Sequence, residues 1–220
     1  MIDPHCYLLG EQAIVFMLET DTPSTSEQRR LFTLTSKLMN IDAFFDVVPT
    51  KSSVTVYLKR PQDYQVWINQ IIRLWDECEL ASFTPNRHRF EVTYGGQFGP
   101  DLTDLANSLS LSEHNIIELH TSVTYQVEFI GFLPGFGYLG TLPKALQVPR
   151  KSTPRTSVPK GSVAIAQELT AIYPSNSPGG WHLIGLCNTP LFDPTLKQPS
   201  LLLPGDQVQF IPAKDSVCSK

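Results

Sequence analysis

Proline and glycine are concentrated in the second half of this chain, and that bias constrains its folding more than any other feature. Twelve of the 18 prolines and nine of the 13 glycines lie beyond residue 128. Proline fixes φ, and glycine opens the region of positive φ. Set this densely among Val, Ile, Phe and Tyr, the two residue types predict short strands joined by rigid, shaped loops rather than a flexible linker. Three runs dominate: FIGFLPGFGYLG (129–140), VPRKSTPRTSVPKGSVAI (148–165) and IYPSNSPGGWHLIG (172–185). A closed β-barrel is the natural way to pair so many short strands.

The charge pattern marks the same region. From Phe129 to Gln167 there is no Asp or Glu, while Lys144, Arg150, Lys151, Arg155 and Lys160 supply five positive charges in a chain of net charge −4. Two of the arginines repeat a frame, Val-Pro-Arg (148–150) and Thr-Pro-Arg (153–155), in which proline stiffens the backbone carrying the guanidinium. A planar fork of donors held this way suits a carboxylate or a phosphate. The competing reading is a solvated basic face.

With 41% hydrophobic and 17% charged residues the composition is globular. No apolar run approaches the roughly 20 residues that span a bilayer. The opening MIDPHCYLLGEQ lacks a basic and an apolar leader segment, so a soluble, cytoplasmic protein is expected. Acidic net charge without a basic stripe disfavours nucleic acid as partner. The four cysteines (Cys6, Cys78, Cys187, Cys218) form no C-x-x-C, and the five histidines show no metal-ligand spacing, so no metal is expected. Cys218 is read as a free surface thiol. Neither a P-loop nor G-x-G-x-x-G is present, and G-x-S-x-G is absent.

Taken in order, residues 12–18 read as a buried strand. Ser24 opens a helix through Asn40, with Glu27 completing a capping box. Strands follow at 43–49 and 54–58, a helix from Pro61 to about Cys78, and a strand at 89–94. That β-α-β-β-α-β order is the ferredoxin-like pattern. Helices are expected at 102–109 and from Ser112 to His120, and a strand at 123–132. The expected architecture is therefore an α+β ferredoxin-like domain over 1–88, followed by a mainly β barrel domain over 89–220.

In sequence, YGGxxGPDL, the helix end ELHTS, FxGFxPGFxYLG, PRxxxPRxxVPxGSVAI, IYPxxSPGGWxLIG, LFDP and LLxPGDxVxF together resemble the 5-oxoprolinase B-subunit family. That family is also known as allophanate hydrolase subunit 1 or the Kip-type kinase inhibitor. The resemblance implies a cyclophilin-like form for the barrel and a bacterial cytoplasmic protein. It also implies two partners in 5-oxoprolinase, a cyclophilin-like C-subunit plus a (β/α)-type A-subunit, the assembly opening 5-oxoproline to glutamate at the expense of ATP. The alternative it carries is a regulator that binds and inhibits a sensor histidine kinase. A third reading, peptidyl-prolyl isomerase, rests on fold likeness alone, which does not carry chemistry. The chain departs from the family pattern at Leu169 and Ala171, where Gln and Gly are usual, and at His182, where Gln is usual. These departures are expected to touch the pocket.

Ring opening needs stabilised anionic oxygen and a proton source. Arg150 and Arg155 are the candidates for the first task or for holding a substrate carboxylate; the alternative for each is a structural tie to loop carbonyls. His120, at a helix end, reads either as a C-terminal cap favoured by the helix dipole or as a general acid–base, and the resemblance favours the second. Asp101, at a helix start, reads as a cap before a catalyst. Phe136, Tyr138, Tyr173 and Trp181 line a substrate pocket or simply close the barrel. Ser177 precedes Pro178-Gly179-Gly180, whose amides could form an anion-binding nest. His182 completes the substrate-binding set.

Overall fold

A computed structural model describes residues 4–20, 23–78 and 85–214, which fall into two compact units, Met1–Thr84 and Pro85–Lys220. Cys218 lies outside the described residues.

The first unit is a four-stranded antiparallel sheet with two helices: β1 (Pro4–Leu9), β2 (Ala13–Leu18), α1 (Thr25–Met39), β3 (Phe44–Pro49), β4 (Ser53–Leu58) and α2 (Tyr64–Asp76). Ser24 caps α1 with the reciprocal Glu27 bond expected of a capping box. Leu31, Leu34 and Leu38 then recur on one helical face and meet Ile14, Phe16, Val54, Val56 and Leu58, which alternate along β2 and β4. Arg30 fastens the two helices together by donating to the Trp75 carbonyl and lying 4.0 Å over its ring.

The strand order is β1-β2-β4-β3, and here the ferredoxin-like expectation is corrected. The strand expected at 89–94 does not join this sheet. Its edge place beside β2 is taken by Pro4–Leu9, which folds back as a hairpin with Leu9 paired to Ala13, Cys6 and Leu8 turning toward the core. The order is thus ββαββα.

The displaced strand is β5 (Arg87–Tyr94) of the second unit. It pairs in parallel with β13 (Gln207–Pro212), and its last residues pair with β12 (His182–Leu186). With β6 (Thr124–Ile130), β7 (Gly137–Gly140), β9 (Ser162–Ala166) and β10 (Leu169–Ile172), these strands close a barrel in the order β10-β7-β6-β13-β5-β12-β9. A separate ribbon pairs β8 (Arg155–Val158) with β11 (Ser177–Gly179). Helices α3 (Leu102–Leu109) and α4 (Glu113–Thr121) add Leu102, Leu105, Ile116 and Ile117 to the barrel core.

Alternation along the barrel strands sorts their side chains into two clusters. Val163, Ile165, Ile172 and Ile184 join Phe90, Tyr94, Tyr125 and Phe210 in the main core. The intervening Ala164, Ala166, Ala171 and Leu183 face the other way and pack with Phe136, Val158, Tyr173 and Trp181. Three alanines make a shallow floor on which large rings can lie. Ala171 is a fully buried strand residue in that floor, and Leu169 packs at its margin.

Candidate functional site

The rings above the alanine floor form a cage. Phe136 meets Tyr138, Tyr173 and Trp181 edge-on, with centroids 4.9, 5.2 and 5.9 Å apart. These are the separations at which aromatic quadrupoles attract in T-shaped pairs. Phe129 stacks behind Tyr138 at 4.2 Å. Phe136, Tyr173 and Trp181 are buried and Tyr138 is partly so, yet the cage retains a cavity of ≈ 210 Å³ walled also by Phe132, Arg150, Pro154, Pro178, Gly179 and Gly180. Gly179 is required by close approach: a Cβ there would run into the Tyr173 hydroxyl. Four of the predicted pocket aromatics and one of the two predicted arginines therefore share a single cavity.

Its polar equipment is compact. Arg150 makes no ion pair among the described residues. The Tyr138 and Tyr173 hydroxyls make no hydrogen bond among the described residues either. Burial raises the pKa of both phenols, Tyr138 adding to the effect at Tyr173, while Arg150 opposes it at each ring. Both phenols thus remain O–H donors at neutral pH beside a cation. A cation, two neutral donors and apolar ring faces suit a small anion with a flat apolar body.

The second arginine does different work. Arg155 opens β8 and donates from Nη2 to Asp101 Oδ1 at 2.7 Å, and Lys151 Nζ donates to the same oxygen at 2.7 Å. Asp101 Oδ2 accepts the Leu183 N–H at 2.7 Å, and the Asp101 N–H returns a bond of 3.0 Å to the Leu183 carbonyl. Burial pushes the Asp101 carboxyl up, but Arg155, Lys151 and the Leu183 N–H outweigh it and hold the group below the usual carboxylate range. The sequence expectation for Asp101 is corrected accordingly, because its side chain caps no helical N–H. The YGGQFGPD turn presses it onto β12, and a Cβ on Gly99 would overlap the Ile184 carbonyl. Arg155 itself lines a separate groove of ≈ 540 Å³ with Phe98, Lys160 and Ser162 rather than the aromatic cavity.

His120 is the largest departure from expectation. It is fully buried in the barrel core, stacked 4.5 Å from Phe210 and lining none of the cavities described. Nε2 lies 2.9 Å from Thr170 Oγ1, whose own hydrogen goes to the Ala164 carbonyl, so Nε2 is the donor and Nδ1 accepts from the Tyr94 hydroxyl at 2.7 Å. Burial lowers its pKa to about 3. A neutral ring with both nitrogens engaged and no route to solvent is neither a general acid–base nor a cationic cap; it is a buried polar tie.

Two further expectations change. Ser177 opens β11, where Ser177 and Gly179 pair with Val158 and Arg155 of β8, so this part of the turn is strand ribbon. The Ser177 Oγ is buried without a hydrogen-bond partner among the described residues. His182 bonds the Pro149 carbonyl at 2.9 Å and lines a neighbouring groove of ≈ 630 Å³, shared with Arg150, instead of the cage. Sequence reasoning missed Phe132, which is 60% exposed on the cavity wall with φ of 68°, a conformation costly for a bulky residue. The only signal for it was its place in the FIGF run.

A family model described as the carboxyltransferase domain, subdomain C and D, matches residues 4–202. The chain is 43% identical, over 97% of its length and 98% of the relative, to the protein of Escherichia coli O157:H7 named as the B-subunit of 5-oxoprolinase. Among solved structures, TTHA0988 superposes on 92% of the chain with a TM-score of 0.79 at 31% identity, the chain spanning 40% of its length. The K. lactis urea amidolyase superposes on 96% of the chain with a TM-score of 0.74; at 16% identity, and with 15% of its own length covered, it speaks to the fold alone.

Proposed function

The chain belongs to the 5-oxoprolinase B-subunit family, and from that membership and the cage geometry we propose that it is the component of an ATP-dependent 5-oxoprolinase that holds the lactam substrate. The observation that carries this reading is Arg150, without an acidic partner among the described residues, on the wall of an aromatic cavity of ≈ 210 Å³. 5-Oxoproline is a small, nearly flat ring with one carboxylate, and a cavity of this size suits roughly ten heavy atoms rather than a drug-sized ligand. Arg150 pairs with the carboxylate, the ring lies against Phe136 and Trp181, and the Tyr138 and Tyr173 hydroxyls donate to substrate oxygens.

In the assembled enzyme the lactam oxygen attacks the γ-phosphorus of ATP, and ADP leaves with the electron pair of the broken P–O bond. Water then adds to the activated carbon and the C–N bond breaks, the nitrogen taking up a proton and the carbon becoming an acyl phosphate; a second water cleaves that acyl phosphate, releasing phosphate and leaving glutamate. The proposed partners are the cyclophilin-like C-subunit of 5-oxoprolinase together with a third polypeptide, its A-subunit. The seven-stranded barrel of this chain is itself read as cyclophilin-like. The nucleotide is assigned to the assembled complex.

The test is reconstitution with both partner polypeptides, followed by assay of glutamate and ADP from 5-oxoproline and ATP. The complete mixture is expected to release the two products in equal amounts, and omission of this chain to stop both. A complete mixture that forms no ADP in response to 5-oxoproline rules the reading out.

A further inference from the structure

Both walls of the cage next to Arg150 are referenced to one buried carboxylate. The segment from Pro149 to Arg155 arches over the cavity and supplies Arg150 and Pro154 to its wall. The arch has few apolar contacts to hold it, since every residue from Pro149 to Arg155 except Lys151 and Arg155 is exposed. The two half-buried cations point inward and share Asp101 Oδ1 at 2.7 Å each. The Lys151 N–H also donates to the Gly180 carbonyl at 2.8 Å, tying the arch to the opposite wall. Asp101 is in turn fixed to Leu183, two residues after Trp181, through its own N–H and its Oδ2. Asp101 thus ties the arch to the strand that follows the second wall through both of its inward-pointing cations, beside the Lys151 N–H bond to Gly180 and the His182 bond to the Pro149 carbonyl.

We propose that Asp101 is a positioning residue of the substrate site: through Lys151 and Arg155 it holds the 149–155 arch in the conformation that delivers Arg150 to the aromatic cavity. The inference rests on the reading of that cavity as the substrate site. Charge-assisted bonds to one partly buried oxygen are strong and directional, and two of them at the ends of a five-residue span leave the arch little freedom. Arg150 is thereby pre-organised without being neutralised, because the acid that orders the arch is occupied by its neighbours. An acid placed directly beside Arg150 would order it as well, but would compete with the substrate carboxylate.

The test compares the wild-type chain with D101N and D101E, alone and in the reconstituted enzyme. For the chain alone, trypsin cleavage after Arg150 and Lys151 reports release of the arch, and circular dichroism reports the fold. D101N is expected to keep a folded spectrum and be cut at least about tenfold faster there, with D101E intermediate. In the reconstituted enzyme D101N is expected to raise KM for 5-oxoproline about tenfold with kcat changed less than about threefold, the pattern of lost binding geometry. In a K151M/R155M background, D101N is expected to add little further, because its effect is transmitted through those two side chains. Unchanged cleavage in D101N overturns the proposal, as does a full D101N effect in the K151M/R155M background. If D101N fails to fold, cleavage after Arg150 in folded K151M/R155M that is no faster than in the wild-type chain overturns it equally. A wild-type enzyme that does not turn over 5-oxoproline defeats the functional reading, while the cleavage comparison still decides the clamp.

Discussion

Arg150 and Arg155 sit five residues apart in the same Pro-Arg frame, yet they do different things because, among the described residues, only Arg155 pairs with an acid. Arg155 is half-buried and bonded to Asp101, whereas Arg150 is exposed beside the Tyr138 and Tyr173 rings. Arg150→Met is therefore expected to weaken 5-oxoproline binding by at least about tenfold, the loss of roughly 1.4 kcal/mol. Because the residue is exposed, the melting temperature should stay within a few degrees of wild type; calorimetric titration and thermal denaturation check the two halves. The sequence made both arginines visible as candidates but could not divide the work between them. That division depends on Asp101, 54 residues away from Arg155 and brought there by the packing of the glycine turn against β12. His120 misled for a related reason: an imidazole at a helix end looks accessible until the strand carrying Phe210 covers it. Its depressed pKa gives a pH prediction. Unfolded chains bind a proton to this ring below about pH 6.5 and the folded chain does not until about pH 3, so its contribution to stability falls as pH drops through that window. Denaturant unfolding at pH 7.5 and pH 5 should show the loss, and His120→Asn should flatten it by up to ~1.4 kcal/mol per pH unit.

Among the elements, those with local signals were the ones legible in advance. The Ser24–Glu27 capping box and the 31-34-38 leucine stripe place α1, and Ser112 places α4, where the structure has them. Ser24→Ala should cost about 1 kcal/mol in the first unit, read as a lowered denaturation midpoint. β1 escaped notice because Pro4 is a weak strand former and its alternation shows only in Cys6 and Leu8. It is held by pairing with β2 rather than by propensity. Missing it led directly to the assignment of the expected 89–94 strand to the wrong sheet, since a lone β-α-β-β-α pattern asks for one more strand. The alanine floor was equally hidden: Ala164, Ala166 and Ala171 look unremarkable until alternation puts them under the rings. Gly179→Ala in the ribbon above that floor should push Tyr173 into the cavity, weakening substrate binding more than fold stability, which the same titration and melting curves separate.

At the scale of the whole chain, two compact units of different construction divide the sequence, and the cage with its arch lies within the second. Proline and glycine density foretold a rigid, loop-shaped barrel there, and closure of seven strands agrees with it. What composition could not foretell is that the aromatic cluster sits on the outward-facing residues of β9, β10 and β12 rather than inside the barrel. A cavity in that place opens to solvent through an exposed aromatic, Phe132, and an exposed cation, Arg150. The most direct measurement is glutamate release from 5-oxoproline and ATP by the enzyme reconstituted with wild-type chain or with Arg150→Met. The account predicts steady turnover with the first and at least about tenfold less at subsaturating substrate with the second, both chains folded alike. Equal turnover by the two would contradict it.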